Sequence, residues 1–340
     1  LISISAYSQK RIELNDVVGK RLFVQKSISG LRSMKDGLNY TTEENGTKIV
    51  KYSYKTGNKV EELFDLSKIE NPGFKEFSEY TFSDDETKIL FTTNRHQLYR
   101  HSFTAEYFVW NRTTKEMTPL SKNGVQQLAT FSPDGERVAF VRGNNLFIKS
   151  LKFGTENQVT KDGKQNEIIN GAPDWVYEEE FGFNKAFEWS PDSKFLAFIK
   201  FNETEVPMFN IPMYQGQAPQ LKENSLYPGS YSYKYPKPGE KNSVVSVLVY
   251  DLKSKSAVTA ETGNDMEQYI PRIKWTADAS DLAIIKLNRL QNQVDIVLCN
   301  PFTGDTRSFF SEKNKRYISE DFFDSFIFLP DNKYIVLNSE

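Results

Sequence analysis

The chain has 340 residues, of which 38% are hydrophobic and 14% aromatic, and a formal net charge of −2. A chain of this length either divides into about two domains or forms one large β domain. The near-neutral charge without a Lys/Arg cluster excludes an electrostatic nucleic-acid footprint, no apolar run has the length of a membrane span, and the single Cys299 excludes an internal disulfide.

Six copies of a tight turn built around an aspartate follow an amino-terminal lead-in, which we place at residues 1–28. The copies are centred on Asp36, Asp85, Asp134, Asp192, Asp278 and Asp331. An aromatic residue stands three positions before the aspartate in all copies but the first, where Ser33 takes its place. Proline, aspartate and glycine favour turns, and aromatic and β-branched residues on either side favour strands. Each copy therefore predicts an antiparallel pair of strands.

The spacing of the copies predicts the fold. Successive aspartates are 49, 49, 58, 86 and 53 residues apart, and a second hairpin with its own turn residues follows each copy. Four antiparallel strands per unit, repeated around an axis, make a β-propeller, whereas the alternative is a β-sandwich with coincidental turns. We predict an all-β chain with a propeller over residues 29–340 that comprises about five blades and part of a sixth. Because the last blade of a propeller closes on the first, we expect the chain to be the front part of a longer protein.

An acidic segment lies in the connector at residues 161–183, between the third and fourth repeats. It reads Asp174-Trp175-Val176-Tyr177-Glu178-Glu179-Glu180. On a strand, neighbouring carboxylates point to opposite faces, whereas on one helical turn they lie roughly 100° apart and can converge on one point. A cation relieves the repulsion among clustered carboxylates, and an ammonium group with three donors suits them. The alternative, which composition alone favours, is a solvated acidic turn.

A second stretch outside the repeat, at about residues 203–242, lies inside the fourth unit and accounts for the 86-residue spacing. It holds six of the fourteen prolines and four closely spaced tyrosines, which are Tyr227, Tyr231, Tyr233 and Tyr235. Insertions in repeats map to loops on one face and often bind a partner, and tyrosine is favoured where a surface meets another protein. Two interpretations stay open, a long surface loop and an arm that contacts a second subunit.

Several motifs accompany the acidic segment. They are Tyr99-Arg100-His101-Ser102-Phe103-Thr104-Ala105, Glu188-Trp189-Ser190-Pro191-Asp192, Phe201-Asn202-Glu203-Thr204-Glu205-Val206-Pro207 and Tyr235-Pro236-Lys237-Pro238-Gly239. On these motifs the chain resembles dipeptidyl peptidase IV and its close relatives, the branch of the prolyl oligopeptidase family with an eight-bladed propeller. Two aromatic exchanges in the first motif, and Pro238 in place of alanine, depart from the family pattern. The resemblance begins near Leu22 and is strong from Tyr99 to Tyr250.

The resemblance implies a division of labour between two domains. In relatives the propeller covers an α/β-hydrolase domain, and the peptide is cut in the cavity between them. The resemblance implies that Glu179 and Glu180 bind the protonated amino terminus of the peptide, and that Arg100 holds the carbonyl oxygen of the second residue and braces the carboxylates. The sequence lacks the G-x-S-x-G nucleophile elbow, so we expect no catalytic residue in this chain and a hydrolase domain after Glu340. We expect no metal, since the chain has only two histidines, and no cofactor.

The expected function is therefore that of the substrate-binding and gating propeller of a serine exopeptidase. The complete enzyme would release X-Pro or X-Ala dipeptides from peptides with a free amino terminus. The alternatives are a tripeptide-releasing prolyl peptidase and a non-catalytic scaffold or binding propeller. The resemblance also implies a homodimer formed through the arm near residues 227–238. The lack of cysteine pairs departs from the disulfide-bearing animal relatives and suggests a bacterial periplasmic or cell-surface protein.

Overall fold

The computed structural model describes residues 11–25, 27–28, 30–214, 227–332 and 335–337. The chain divides into two compact units between Glu76 and Phe77. Residues 1–10 of the predicted lead-in, and Pro219 of the predicted arm, lie outside the described residues. The predicted boundary between a lead-in and a propeller domain at residues 28 and 29 stays a prediction.

The first unit contains one four-stranded antiparallel sheet. A single π-helical turn, Asn15–Gly19, precedes it, and a 3₁₀ turn, Leu66–Lys68, follows it. The strands pair in chain order, and they are β1 (Arg32–Ser33), β2 (Asn39–Glu44), β3 (Lys48–Ser53) and β4 (Lys59–Asp65).

The second unit begins with two more sheets of the same design, each with four strands paired antiparallel in chain order. The first comprises β5 (Glu79–Phe82), β6 (Lys88–Gln97), β7 (Phe103–Asn111) and β8 (Glu116–Pro119). The next comprises β9 (Gln127–Phe131), β10 (Arg137–Arg142), β11 (Asn145–Ser150) and β12 (Glu156–Gln158).

The fourth sheet is more elaborate, because both β13 and β14 pair with β15. Its strands are β13 (Ile168–Asn170), β14 (Phe187–Trp189), β15 (Phe195–Asn202), β18 (Val244–Asp251) and β19 (Ser256–Thr259). A short helix, α1 (Trp175–Glu179), lies between β13 and β14. A separate hairpin, β16 (Met208–Met213) and β17 (Gly229–Lys234), lies between β15 and β18.

The fifth sheet returns to the simple design, and a further hairpin follows it. The sheet comprises β20 (Tyr269–Trp275), β21 (Leu282–Leu287), β22 (Gln293–Cys299) and β23 (Thr306–Lys313). Helix α2 (Asp321–Ser325) then leads into the pair β24 (Ile327–Phe328) and β25 (Ile335–Val336). Among the described residues, five sheets of four or five strands and a further hairpin confirm the predicted fold class, an all-β chain of propeller blades.

The six aspartate turns share one backbone conformation. In every copy the residue after the aspartate has a left-handed φ, at Gly37 (65°), Glu86 (55°), Gly135 (66°), Ser193 (59°), Ala279 (60°) and Asn332 (54°). In two copies that residue also reaches the turn of the preceding repeat: the Ser193 hydroxyl accepts the Asp134 N–H at 3.0 Å, and Asn332 Oδ1 accepts the Ala277 N–H at 2.8 Å. The repeated turn therefore joins the two strands of a hairpin, and in these two copies it also connects neighbouring blades.

The apolar core of the second unit consists of layers between successive sheets. Strand β10 shows why: Val138 and Phe140 pack towards the preceding sheet, and Ala139 and Val141 towards the following one. Alternate side chains of a strand point to opposite faces, so a strand covered on both faces needs a continuous apolar run. Cys299 is buried in the corresponding layer around the fifth sheet, in agreement with the position of this cysteine in an apolar strand of the sequence.

Among the described residues, none of the helices combines the length and the apolar character needed to cross a membrane.

Candidate functional site

The acidic segment is carried by an interruption in the first strand of the fourth blade. Strands β13 and β14 pair with successive stretches of β15, with Asn170 opposite Lys200 and Phe187 opposite Phe198. Gly171 and Ala186 still bond to Ile199 of β15, at 3.1 and 2.8 Å, and the residues between them, 172–185, leave the sheet. Gly171 makes this departure possible, because its φ is +77° and an added Cβ would lie 3.0 Å from Leu146 Cδ1.

Two buried residues fix the orientation of α1. Asp174 is its N-cap: one carboxylate oxygen accepts the Tyr177 N–H at 2.9 Å, and the other accepts the Ser243 hydroxyl at 2.5 Å. Burial raises the pKa of the Asp174 carboxyl above its usual value. Tyr177 is fully buried, and its hydroxyl accepts the Ile270 N–H at 3.0 Å. The short helix is therefore anchored to the fourth and fifth blades at both ends of its first turn.

The three glutamates lie on one helical turn, as the sequence predicted, but they have three different environments. Glu178 is 1% exposed, and its Oε1 accepts the backbone N–H groups of His101 and Ser102 at 2.7 and 2.8 Å. Glu179 Oε2 lies 2.9 Å from Arg100 Nε, in an ion pair whose side chains are 15% and 72% exposed respectively. Glu180 is exposed and caps the carboxyl end of α1.

The structure thus brings Arg100 and Glu179 into direct contact and leaves Glu180 accessible beside them. Arg100 belongs to the loop that joins β6 to β7, in which the Leu98 N–H donates to the Ser102 carbonyl at 2.9 Å. The loop is also linked to the residues after α1, because Asn184 Nδ2 donates to the His101 carbonyl at 3.3 Å. Two segments far apart in sequence therefore form one charged surface.

An aromatic wall lies next to Glu180. The Trp175 and Tyr235 rings are 4.1 Å apart between centroids, and Tyr233 lies 6.2 Å from Trp175. Glu180, Trp175 and Tyr235 line a cavity of about 390 Å³. The base of the predicted arm, just after β17, is therefore part of the surroundings of the acidic turn.

A second cavity, of about 460 Å³, contains two acids that sequence reasoning did not assign. It is lined by Asp174 and Glu203 together with Tyr99 and Tyr233. Burial, and then the nearby Asp174 carboxylate, raise the pKa of Glu203 to about 7. Both acids stand in motifs that carry the family resemblance, Asp174 in the acidic segment and Glu203 in the motif at residues 201–207, and an aspartate directly before a helix is typical of an N-cap. The sequence does not indicate that Glu203 is buried.

The fold and this site together define a class: a β-propeller in which the fourth blade presents an acidic helical turn and a loop of the second blade presents an arginine to it. The sequence profile of the family described as "Dipeptidyl peptidase IV (DPP IV) N-terminal region" matches residues 83–340. The chain belongs to this family.

Individual relatives agree with the profile. The chain is 33% identical over 313 residues to a probable dipeptidyl peptidase 4 of Emericella nidulans, a match that covers 89% of this chain and 39% of the relative. A crystal structure of Porphyromonas gingivalis dipeptidyl peptidase 4 superposes with a TM-score of 0.86 at 39% identity, over 94% of this chain and 45% of that one. A putative dipeptidyl aminopeptidase IV from Bacteroides ovatus, at 20% identity and a TM-score of 0.67, shares the fold. The chain therefore spans less than half the length of these relatives.

Proposed function

We propose that this chain is the substrate-binding and gating propeller of a serine exopeptidase that releases X-Pro or X-Ala dipeptides from peptide amino termini. In this proposal Glu179 and Glu180 bind the free α-amine, and Arg100 binds the carbonyl oxygen of the second residue. The observation that carries the proposal is the 2.9 Å pair between Arg100 and Glu179 beside the exposed Glu180. It supports the proposal because a peptide end carries a cationic amine and a carbonyl oxygen, which match a carboxylate and a guanidinium side by side.

The chemistry of the amine supports this assignment. A peptide α-amine has a pKa of roughly 7.7–8.0, so it is mostly cationic at neutral pH. Its three N–H donors match carboxylate oxygens. Glu178 is buried, and its Oε1 already accepts two backbone N–H groups, which leaves Glu179 and Glu180 as the accessible acceptors for a ligand. Arg100 uses Nε for Glu179, and in the part of the chain that the structure describes its terminal nitrogens have no other carboxylate partner.

Such a site sets the distance from the amino terminus of the peptide to the bond that is cut. An amine fixed at Glu179 and Glu180, and a second-residue carbonyl fixed at Arg100, place the next peptide bond at a set distance from the anchor. Uniform binding would only lower KM, whereas correct placement of the reacting carbonyl also raises kcat. We propose that the nucleophile, base and acid belong to an α/β-hydrolase domain in the remainder of the protein.

The test is the replacement of each carboxylate by its neutral isostere in the complete protein. Glu180→Gln and Glu179→Gln should each lower kcat/KM for a Gly-Pro anilide by about 10- to 100-fold, since a charge-assisted hydrogen bond contributes about 1.5–3 kcal/mol. Glu136→Gln, at an exposed acid of the third blade, is the matched control and should leave kcat/KM unchanged. If Glu180→Gln stays within about threefold of wild type, the anchor assignment is wrong.

Product analysis separates the release of two residues from the release of three. Two unlabelled peptides are compared, one with proline only at its second position and one with proline only at its third. By mass spectrometry the first should release a dipeptide and the second should stay uncut. Release of tripeptides would favour a tripeptide-releasing prolyl peptidase. A protein that binds peptides without cutting them would favour a non-catalytic scaffold.

We further propose that the complete protein is a homodimer held by the arm and that it resides in the periplasm or on the surface of a bacterial cell. The exposed Tyr227 and Tyr231 of the arm support the first part. The single cysteine of the chain, unlike a disulfide framework, is compatible with the second.

A further inference from the structure

We propose that Glu178 is a positioning residue, a buried carboxylate that holds the Arg100 loop against α1 and so sets Arg100 beside Glu179. The inference rests on the proposed function, since it concerns how the same site is assembled. It gives the first glutamate of the acidic segment a role that differs from the role of its two neighbours.

The contacts define the role. Glu178 Oε1 accepts two consecutive backbone N–H groups, His101 at 2.7 Å and Ser102 at 2.8 Å. Both Glu178 and Ser102 are buried, at 1% and 8% exposed. A carboxylate that accepts backbone N–H groups away from water makes charge-assisted bonds, which are about twice as strong as neutral ones. The bonds therefore attach the β6–β7 loop firmly to the helix.

The position of Arg100 in this loop makes the attachment functional. Arg100 directly precedes His101, so its Cα is fixed by the bond that Glu178 accepts from the next residue. Its own side chain is 72% exposed, and an exposed arginine loses up to about 2 kcal/mol of rotamer entropy when it is held in one position. Because surface ion pairs contribute little by themselves, the single contact with Glu179 is a weak restraint. The Arg100 backbone is held by the Glu178 anchor on the next peptide group and by Gln97 Nε2, which donates to the Arg100 carbonyl at 3.0 Å.

A second contact holds the same part of the loop. Asn184, which follows α1, donates to the His101 carbonyl at 3.3 Å. The peptide groups around His101 are thus bound from both sides by the segment at residues 171–186. A substrate arriving at Glu179 meets an Arg100 whose backbone is already placed, which reduces the ordering cost of binding.

The experiment is a double-mutant cycle in the complete protein with the Gly-Pro anilide. Glu178→Gln keeps an acceptor and loses the charge, and should lower kcat/KM by about 10-fold. Glu178→Ala should lower it further, because it leaves two N–H groups without a partner. Arg100→Ala alone should also lower kcat/KM. In the Arg100→Ala background, Glu178→Gln should cost less than about twofold, because independent sites add and coupled sites do not.

The matched control is Asp65→Asn, which neutralises another buried carboxylate that accepts a backbone N–H, from Ser67 at 3.0 Å in the first unit. It should leave kcat/KM unchanged. If the effects of Glu178→Gln and Arg100→Ala multiply, or if a folded Glu178→Gln protein has wild-type kcat/KM, Glu178 does not act through Arg100. If Arg100→Ala leaves kcat/KM unchanged, the role of Arg100 in the proposed function fails as well. A failure of the Glu178 role alone leaves the effect of Arg100→Ala in place, so the two outcomes are distinguishable.

Hydrogen exchange tests the anchor without any variant. In the wild-type protein the amides of His101 and Ser102 should exchange much more slowly than the amide of the neighbouring Arg100. Exchange of all three at the rate of an open loop would overturn the inference.

Discussion

At the scale of single residues, identical side chains acquire different chemistry from a rotation of about 100° per position along a helix. Glu178 turns inward to backbone N–H groups, Glu179 faces Arg100, and Glu180 faces solvent. The sequence predicted that the three carboxylates share a helical turn. It could not show which carboxylate is buried and bonded to the backbone, because the N–H donors belong to His101 and Ser102, far earlier in the chain.

Glu203 is the residue whose titration the structure makes testable. Burial and the Asp174 carboxylate raise its pKa to about 7, whereas Lys234 and the Asn166 N–H favour the ionised form. Because the pKa is higher in the folded than in the unfolded chain, folding takes up a proton between about pH 4.5 and 7. The free energy of unfolding should therefore fall as pH rises through this window.

The matched variant isolates this contribution. Glu203→Gln cannot ionise, so its melting temperature relative to wild type should increase from pH 5 to pH 8, with a difference of about 3 kcal/mol at full ionisation. Glu205→Gln, at the exposed acid two positions later, should show no such trend. A pH-independent difference between Glu203→Gln and wild type would contradict the assignment.

At the scale of elements, the aspartate turn is a side-chain network as well as a turn. Ser190 is fully buried: its hydroxyl donates to Asp192 Oδ1 at 2.7 Å and accepts the Phe195 N–H at 2.9 Å. Thr276 makes the same pair of contacts in the fifth blade, with Asp278 at 2.9 Å and the Asp281 N–H at 3.1 Å. Serine and threonine hydroxyls are therefore interchangeable at this position of the repeat.

This equivalence predicts a graded series. Ser190→Ala leaves the buried Phe195 N–H without its acceptor and should cost about 1–3 kcal/mol, which lowers the melting temperature by several degrees. Ser190→Thr keeps the hydroxyl and should retain most of the stability. Equal melting temperatures for Ser190→Ala and wild type would show that the turn depends on its backbone alone.

The same elements show what sequence patterns can and cannot predict. The aspartate turns were predictable, because turn and strand preferences are local and are repeated in every blade. The split of one strand into β13 and β14 was not, since the connector was assigned wholly to the space between repeats. Three residues inside it, at 168–170, in fact pair with β15. Strand pairing depends on a partner distant in sequence, and three residues carry too little pattern to reveal it.

At the scale of the whole molecule, the arm takes part both in the proposed amine site and in the proposed dimer contact. Its base contacts the acidic turn through Tyr233, Tyr235 and Trp175, whereas Tyr227 and Tyr231 are exposed at 80% and 46%. Removal of the arm would therefore disturb the site as well as any subunit contact. Tyr231 lies 5.5 Å from Tyr233 between ring centroids, so substitution of Tyr227 alone keeps the two effects apart.

We expect the complete protein to be a dimer by sedimentation. The variant Tyr227→Ser should weaken the dimer while Tyr231, Tyr233 and Tyr235 stay in place. Phe153→Ser, at a residue that is 73% exposed in the third blade, is the control and should sediment as wild type. If Tyr227→Ser leaves the affinity of the dimer unchanged, Tyr227 does not contribute to the interface.

The central claim is that adjacent carboxylates on α1 recognise the charged end of a peptide and thereby select the bond that is cut. A crystal structure of the complete protein with an uncleaved peptide bound measures this directly. We predict the α-amine nitrogen within about 3 Å of carboxylate oxygens of both Glu179 and Glu180, with Arg100 on the carbonyl oxygen of the second residue. An α-amine bound elsewhere, with neither carboxylate within hydrogen-bond distance, would contradict it.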